Sequence, residues 1–395
     1  VDSDGDGYGS AATSVSSCDA PAGYVSDGTD CDDGDADVWP GATEVCNGVD
    51  DDCDGSLDAG ESDDTDADGL YDCDDGDIDG DGLRNAWDAD AYDASVARGP
   101  TGGLGGDGAY TAGGSETWGE WTLLAGAGAA GSGTIAVDDG SIFAEGDEVL
   151  VLSQQGSDAG TYAFVFVGGV SGDDLSVEPP LPASFSAASV VLVARVPHFT
   201  DLSVPAGATV SADAWAGSGG GLVVARASGS LSVDGTISAD GLGFRGGDGV
   251  AGCCSSYPTS GESYGGAGSY SASANGGGGG SYTITADGGE CGGGGGYGTA
   301  GDDGTNYAGT ALGNAGSTYG SAALPTWFLG SGGGAGSPDN ESDGQDSDNL
   351  TGAGGAGGGL VLLFAGSSLS VSGSITARGE DGEDADASGD GEVGG

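Results

Sequence analysis

Lysine and methionine are absent from this 395-residue chain, histidine occurs once, and the remaining basic residues are six arginines. Against 64 Asp plus Glu, these leave a formal net charge of −58. Without a cationic surface the chain cannot displace counterions from DNA or RNA, and anionic membrane surfaces repel it. The apolar run Leu360–Ala365 falls far short of the roughly 20 residues needed to cross a bilayer. Collagen is excluded because the 90 glycines follow no three-residue period. Enzyme signatures are missing as well. His198 follows Pro197 at the end of an apolar run, with no nucleophile-elbow serine around it, so it reads as structural. The glycine runs lack the lysine of a phosphate loop, and paired carboxylates mean little where so many exist. The expectation is a protein without catalytic activity.

What is present falls into regions. Residues 1–93 are dense in regularly spaced aspartates, and residues 94–119 read as a linker. Residues 120–198 carry short β-branched and aromatic runs broken every 8–12 residues by Gly, Asp and Pro, the pattern of a β-sandwich or barrel. Residues 199–395 are dominated by glycine. The expected fold is mainly β: a calcium-loop region with little regular structure, then a sandwich or barrel, then parallel β-helix-like coils with long glycine-rich loops.

The acidic region carries the clearest chemistry. Calcium takes roughly six to eight oxygen ligands, and a loop of about twelve residues supplies them from positions 1, 3, 5, 7, 9 and 12, with glycine at 6 for the turn. One window places Asp50, Asp52, Asp54, Gly55, the carbonyl of Ser56, Asp58 and Glu61 there. A second offers Asp64, Asp66, Asp68, Gly69, Leu70, Asp72 and Asp75. The third has Asp77, Asp79, Asp81, Gly82, Leu83, Asn85 and Asp88. A weaker fourth begins with Asp2, Asp4, Asp6, Gly7 and Tyr8, and Asp30, Asp32, Asp33 or Asp35 are the candidates to complete it. Several Ca2+ ions are therefore expected, with the metal supplying much of the folding free energy. An all-oxygen ligand set favours calcium over transition metals.

Within residues 1–58, the segments "DSDGDGYGS" and "CDAPAGYVSDGTDCDDGDADVWPGATEVCNGVDDDCDG" resemble the MopE-type metal-binding motif of secreted bacterial proteins. The resemblance implies secretion and metal binding. The family is often labelled copper-binding, but this segment holds neither His nor Met, and its oxygen ligands suit calcium. Residues 63–93, with "DTDADGLYDCDDGDIDGDGLRNAWD", look like thrombospondin type 3 calcium repeats. Across about 120–395, "RVPHFTDLSV", "GLGFRGGDG" and "GGAGGGLVLLFA" resemble a glycine-rich module of large secreted bacterial proteins, which again implies an extracellular setting.

Eight cysteines point to an oxidising compartment. Cys18, Cys31, Cys46, Cys53 and Cys73 lie in the acidic region, and Cys253, Cys254 and Cys291 in the glycine-rich one. Both counts are odd. Pairing of neighbours gives Cys18–Cys31 and Cys46–Cys53, leaving Cys73 for an inter-domain or inter-subunit disulfide; one or two free thiols are the alternative. With no leader segment, Val1 reads as a processed N-terminus.

Residues 219–241 and 357–379 repeat one another: Gly-Gly-Gly-Leu-Val, a small-residue turn, Leu-Ser-Val, then Gly-x-Ile-x-Ala. Three short strands with glycine corners suit a coil of a parallel β-helix, and "DLSVPAGATVSADAWAG" before them reads as another. The insertion 246–355 is expected to form ordered loops packed through its aromatics, or else extended glycine segments bonded backbone to backbone. The leading functional reading is a secreted calcium-binding structural protein that self-associates into a filament or surface layer. Its rival is a monomeric adhesin whose tyrosine-rich loops stack on sugars.

Overall fold

The computed structural model describes residues 1–45, 47–57, 63–80, 84–86, 88, 91–92, 104, 106–249, 259–267, 277–278, 292–297, 300–305, 311–320, 326–336 and 352–383. It divides into two compact units, Val1–Ala97 and Arg98–Gly395. The fold is mainly β.

The first unit is built from turns. Aspartate carboxylates accept backbone N–H groups two residues on, as at Asp6 to Tyr8, Asp54 to Ser56 and Asp68 to Leu70. The glycines that follow take left-handed conformations, with φ of 101° at Gly7 and 92° at Gly55. Its apolar interior is small: Val38 and Ile78 are buried, and Tyr8 stacks on Trp39 at 5.6 Å. The disulfides differ from nearest-neighbour pairing. Cys31 is joined to Cys53, and Cys18 is an exposed free thiol. The reason is spatial: the bridge between Ser10 and Thr29 folds the first loop over residue 30, turning Cys31 towards the Asp50–Asp54 loop. Cys73 is disulfide-bonded too.

The second unit is a solenoid of four stacked rungs interrupted twice. Rung one comprises β1 (Gly108–Thr111) and β2 (Ser115–Trp118), which composition alone assigns to the linker 94–119. The chain then leaves to form β3 (Trp121–Leu123), β4 (Thr134–Ala136), β5 (Glu148–Gln155), β6 (Tyr162–Ser171), β7 (Asp174–Glu178) and β8 (Val190–Val196). It returns for rung two, β9 (His198–Val204) and β10 (Thr209–Ala212). Rung three follows directly as β11 (Leu222–Ala227), β12 (Ser230–Val233) and β13 (Thr236–Ser238). The second excursion holds two short hairpins, β14 (Glu262–Ser263) with β15 (Gly266–Ala267), and β16 (Gly304–Thr305) with β17 (Ala311–Gly313). Rung four is β18 (Leu360–Ala365), β19 (Ser368–Val371) and β20 (Ser374–Thr376).

All pairing between rungs is parallel. The sequence repeat sets the register of the last two: Leu222 lies beside Leu360, Leu231 beside Leu369, and Ile237 beside Ile375. Alternate residues point inward, so Leu202, Val204, Val210, Leu231, Val233 and Ile237 fill the interior.

The first excursion is one antiparallel sheet, order β3-β8-β5-β6-β7-β4, that curls until a bridge between Leu124 and Val137 joins its ends. Both faces of β5 are buried. Val149 and Val151 face the interior of the curl with Val165, Val167 and Leu175, while Leu150 and Leu152 pack against Leu222 and Val224 on the outer face of rung three. A buried ionic group fastens this contact. Glu148 receives Arg226 in a fork, Nε at 2.6 Å and Nη2 at 2.9 Å, and also bonds His198 Nε2 at 2.8 Å. The Leu104 N–H donates to His198 Nδ1 at 3.0 Å, so Nε2 carries the imidazole proton. Phe164 and Phe364 lie 4.8 and 4.4 Å from the Arg226 guanidinium.

In the second excursion, the described glycine segments 243–247, 259–262, 277–278, 292–296, 330–336 and 352–358 bond to one another through their backbones. Examples are Gly243 N–H to Gly357 O, Gly247 to Gly333, Gly261 to Gly278 and Gly334 to Gly293. Aromatics contribute at one edge, where Tyr264, Tyr297, Tyr319 and Phe328 cluster. Among the described residues both expected modes, aromatic packing and backbone-to-backbone bonding, therefore occur. The glycines are required by approach distance: a Cβ at Gly246 would lie 1.7 Å from Gly354 O, and one at Gly278 1.8 Å from Gly293 O.

Two substitutions test this account. Gly246→Ala should lower stability by about 3 kcal/mol or more, because backbone rather than a side chain must give way. Gly126→Ala, which meets nothing within 4 Å, should stay within about 0.5 kcal/mol of the parent. Glu148→Ala should lose about 3–5 kcal/mol in denaturant unfolding, since it removes the carboxylate between two buried basic groups.

Candidate metal centre

Three groups of carboxylates converge in the first unit: Asp2, Asp4 and Asp6; Glu44, Asp50 and Asp52; and Asp64, Asp66 and Asp68. Within each group one ligand oxygen per residue lies within 4.8 Å of the others.

The first group, the weakest by sequence, is as half-buried as the second and more enclosed than the third. Asp2 accepts the Gly5 N–H at 2.7 Å, and Asp6 accepts that of Tyr8 at 2.7 Å, so one oxygen of each carboxylate shapes the loop. The second oxygens of Asp4, Asp6 and Asp30 are shielded from solvent and make no hydrogen bond. Asp30 arrives from the neighbouring segment and is 8% exposed. Burial, reinforced by the negative charges of Asp6, Asp4 and Asp33, holds its carboxyl above the usual carboxylate range, against an opposing bond from the Asp32 N–H. Asp33 is not a free ligand: Ser3 donates to it from N at 2.9 Å and Oγ at 2.8 Å, which keeps its carboxyl low. Asp32 and Asp35 accept backbone N–H groups of Gly34 and Asp37 in local turns. Tyr8 follows the third aspartate, as in a metal loop.

In the second group, Asp50 receives the N–H groups of Asp54 and Gly55, and Asp52 also receives that of Asp54. Asp54 turns to the Ser56 N–H. Asp58 and Glu61 lie outside the described residues. The carboxylate that joins Asp50 and Asp52 is Glu44, which also accepts the Asp52 N–H at 2.7 Å. Sequence reasoning missed it because it precedes the loop; its place in "PGATEVC" was the available signal. The Cys31–Cys53 bridge ties this loop to the segment bearing Asp30.

The third group gathers Asp64, Asp66 and Asp68, while Asp72 is occupied by Thr65, whose N and Oγ1 both donate at 2.9 Å. Asp75 accepts the Asp77 N–H, and Leu70 donates its N–H to Asp68. The last window is not gathered in this way among the described residues. Asp77, Asp79 and Asp88 form no such group there, Asn85 bonds Ile78 N and Asp75 O, and Asp81 and Leu83 lie outside the described residues.

Residues 30–59 match the family model described as "Putative metal-binding motif" (Cu-binding_MopE). The chain carries that motif. It holds Glu44, Asp50 and Asp52, the carboxylates of the second group, together with the buried Asp30 and both cysteines of the observed bridge. No curated protein matches the chain. Among solved structures it is similar to the Gp54 tailspike of Acinetobacter baumannii bacteriophage AP22 in complex with A. baumannii capsular saccharide, at 17% identity and a TM-score of 0.20, covering 34% of this chain and 26% of that one. The tailspike protein gp49 from Pseudomonas phage LKA1 gives 17% identity and a TM-score of 0.17, covering 32% and 25%. The chain thus spans about a quarter of either. No helix among the described residues is long and apolar enough to cross a membrane.

A carboxyl raised in the folded state binds its proton more tightly there than when unfolded. Its contribution to stability is present below the ordinary carboxylate value and is lost as pH rises through the raised one. In chelator, Asp30→Asn should therefore raise the melting temperature near neutral pH and flatten its decline as pH rises above the ordinary carboxylate value of about 4. The same substitution should weaken binding of terbium, a luminescent stand-in for calcium, by roughly tenfold or more.

Proposed function

We propose that this is an extracellular calcium-binding structural protein, with an acidic unit folded by bound Ca2+ and a solenoid that assembles into a filament or surface layer. One observation carries the metal reading: Asp4, Asp6 and Asp30 each hold a solvent-shielded oxygen that no hydrogen bond satisfies, and the charges of Asp6 and Asp4 act on Asp30. No Lys, Arg or His precedes Arg84, so a side-chain cation from residues 1–83 cannot balance them. Enclosed like charges repel strongly in a low-dielectric site, and a hard divalent cation answers that repulsion with an all-oxygen ligand set. The carboxylates of Glu44, Asp50 and Asp52 and of Asp64, Asp66 and Asp68 offer further sites of the same chemistry.

The assembly reading draws on the fourth rung. Leu369, Val371 and Ile375 are 56%, 45% and 37% exposed, whereas their partners Leu231, Val233 and Ile237 on rung three are at most 1% exposed. Among the described residues no strand pairs the outer edge of rung four, and the apolar stripe that fills the interior at rung three is open there, a template for continued stacking. A head-to-tail contact of this kind extends rather than closes.

Negative-stain electron microscopy of the native protein, with calcium and after chelation, tests both parts. Filaments that shorten or dissolve in chelator are expected, with protease cleavage appearing in residues 1–93. Dispersed particles under both conditions would exclude the polymer, and protease resistance unchanged by chelation would exclude folding by metal.

A further inference from the structure

A cavity of about 280 Å3 opens where the chain leaves rung one for the curled sheet. Its walls are aromatic: Tyr110, Trp118, Trp121 and Phe199. Its floor is aliphatic, formed by residues of β8 and β11, and Glu120, Asp213 and Arg195 stand at its rim. Nothing in the metal reading uses it.

The aromatic wall is built rather than incidental. Tyr110 stacks on Phe199 at 4.9 Å and meets Trp118 edge-on at 5.5 Å, and its hydroxyl is bonded to Glu116. Trp121 is wedged between glycines: a Cβ at Gly219 would lie 2.8 Å from its ring and one at Gly119 3.3 Å away. Trp215 and Trp327 are packed on protein rings, at 5.1 Å from Phe244 and 3.7 Å from Tyr162. Among the described residues no ring covers Trp121, which is half-buried at the cavity wall. A rigid aromatic surface held open beside water is the arrangement of a ligand site.

The polar groups select the ligand. Acidic rim residues and a net charge of −58 disfavour an anion. An organic cation would gain from the rings, but the Arg195 guanidinium lines the same cavity and repels it, and Glu120 stands 66% exposed at the mouth. Carboxylates at the rim are acceptors for pairs of hydroxyl donors. The Arg195 guanidinium, fixed by Asp147 at 2.8 Å and Asp107 at 2.5 Å, has donors close by. A ring with one C–H face and a hydroxylated edge satisfies all three surfaces. The volume lies near the lower end of ligand sites, roughly 300–1,000 Å3, which suits one sugar ring. We propose that this cavity binds a single neutral hexopyranose residue of a glycan, its apolar face on Trp118 and Trp121 and its hydroxyls directed to Glu120 and Asp213.

The test uses the full chain in calcium, titrated with the methyl glycosides of glucose, galactose and mannose, with glucuronate and choline as charged probes. Saturable quenching of tryptophan fluorescence by at least one neutral glycoside is expected at concentrations on the order of 10 mM or below, with saturation-transfer NMR marking its ring C–H protons. Trp118→Ala and Trp121→Ala should each weaken that binding about tenfold or more, and Trp327→Ala should leave it unchanged. Because loss of an aromatic wall can disturb the fold, Asp213→Asn and Glu120→Gln serve as exposed, isosteric variants and should weaken it several-fold with unaltered circular dichroism. The inference is overturned by no response to any neutral glycoside, by choline or glucuronate binding in their place, or by full affinity in both rim variants.

Discussion

Positive charge is the scarcest component of this molecule, and its placement governs the body. Arg226 reaches from rung three to Glu148 at the start of β5, so the inserted sheet and the solenoid are locked at one buried point. Arg195, at the end of β8, gathers Asp147 from the sheet and Asp107 from the approach to rung one. Arg245 takes Glu262 in a fork at the entry to the glycine-rich excursion, and Trp215 adds its indole N–H to the same carboxylate. Burial alone would raise the Glu262 carboxyl, but these donors hold it below the usual range. Each of these arginines joins segments that are distant along the chain, which is where an ionic fork adds most to uniqueness of packing.

The acidic unit has no such internal cations over its first 83 residues, and its aspartates serve two ends at once. One oxygen of a residue such as Asp6 closes the turn, leaving the other turned inward among its neighbours. The loop is thereby shaped by its own aspartates, while burial and the neighbouring negative charges raise the Asp30 carboxyl. Glycine plays the corresponding part in the body, where backbone surfaces meet so closely at Gly246 and Gly278 that no side chain could be interposed.

Much of this was legible in the sequence, for reasons that also mark the limits. The Asp-x-Asp-x-Asp-Gly windows put carboxylates and a turn into a few adjacent residues, so the clusters at Asp2–Asp6, Asp50–Asp52 and Asp64–Asp68 could be found by spacing. Glu44 and Asp30 come from flanking segments that fold back, and no local period announces them. The duplicated Leu-Ser-Val and Gly-x-Ile-x-Ala segments declared the register of rungs three and four. Rung one stayed hidden because its two strands are four residues each and Asp107, just before it, lies 91 positions from the His198 it contacts. The bridge from Cys31 went to Cys53 rather than to Cys18 because a turn, not proximity in sequence, decides which thiols face each other.

The interrupted solenoid also imposes a timetable. Rung four carries the partners of rung three 138 residues further along, as at Thr236 and Ser374. During synthesis or export from the N-terminus, the apolar edge of β11–β13 therefore waits, bare, until Leu360 and its followers emerge. Contacts of such long sequence separation form slowly, so the chain passes through a stage in which a finished half-solenoid is exposed to any parallel strand nearby. Whatever protects that edge, whether the glycine excursion settling first or a chaperone, decides between correct closure and strand exchange with another chain.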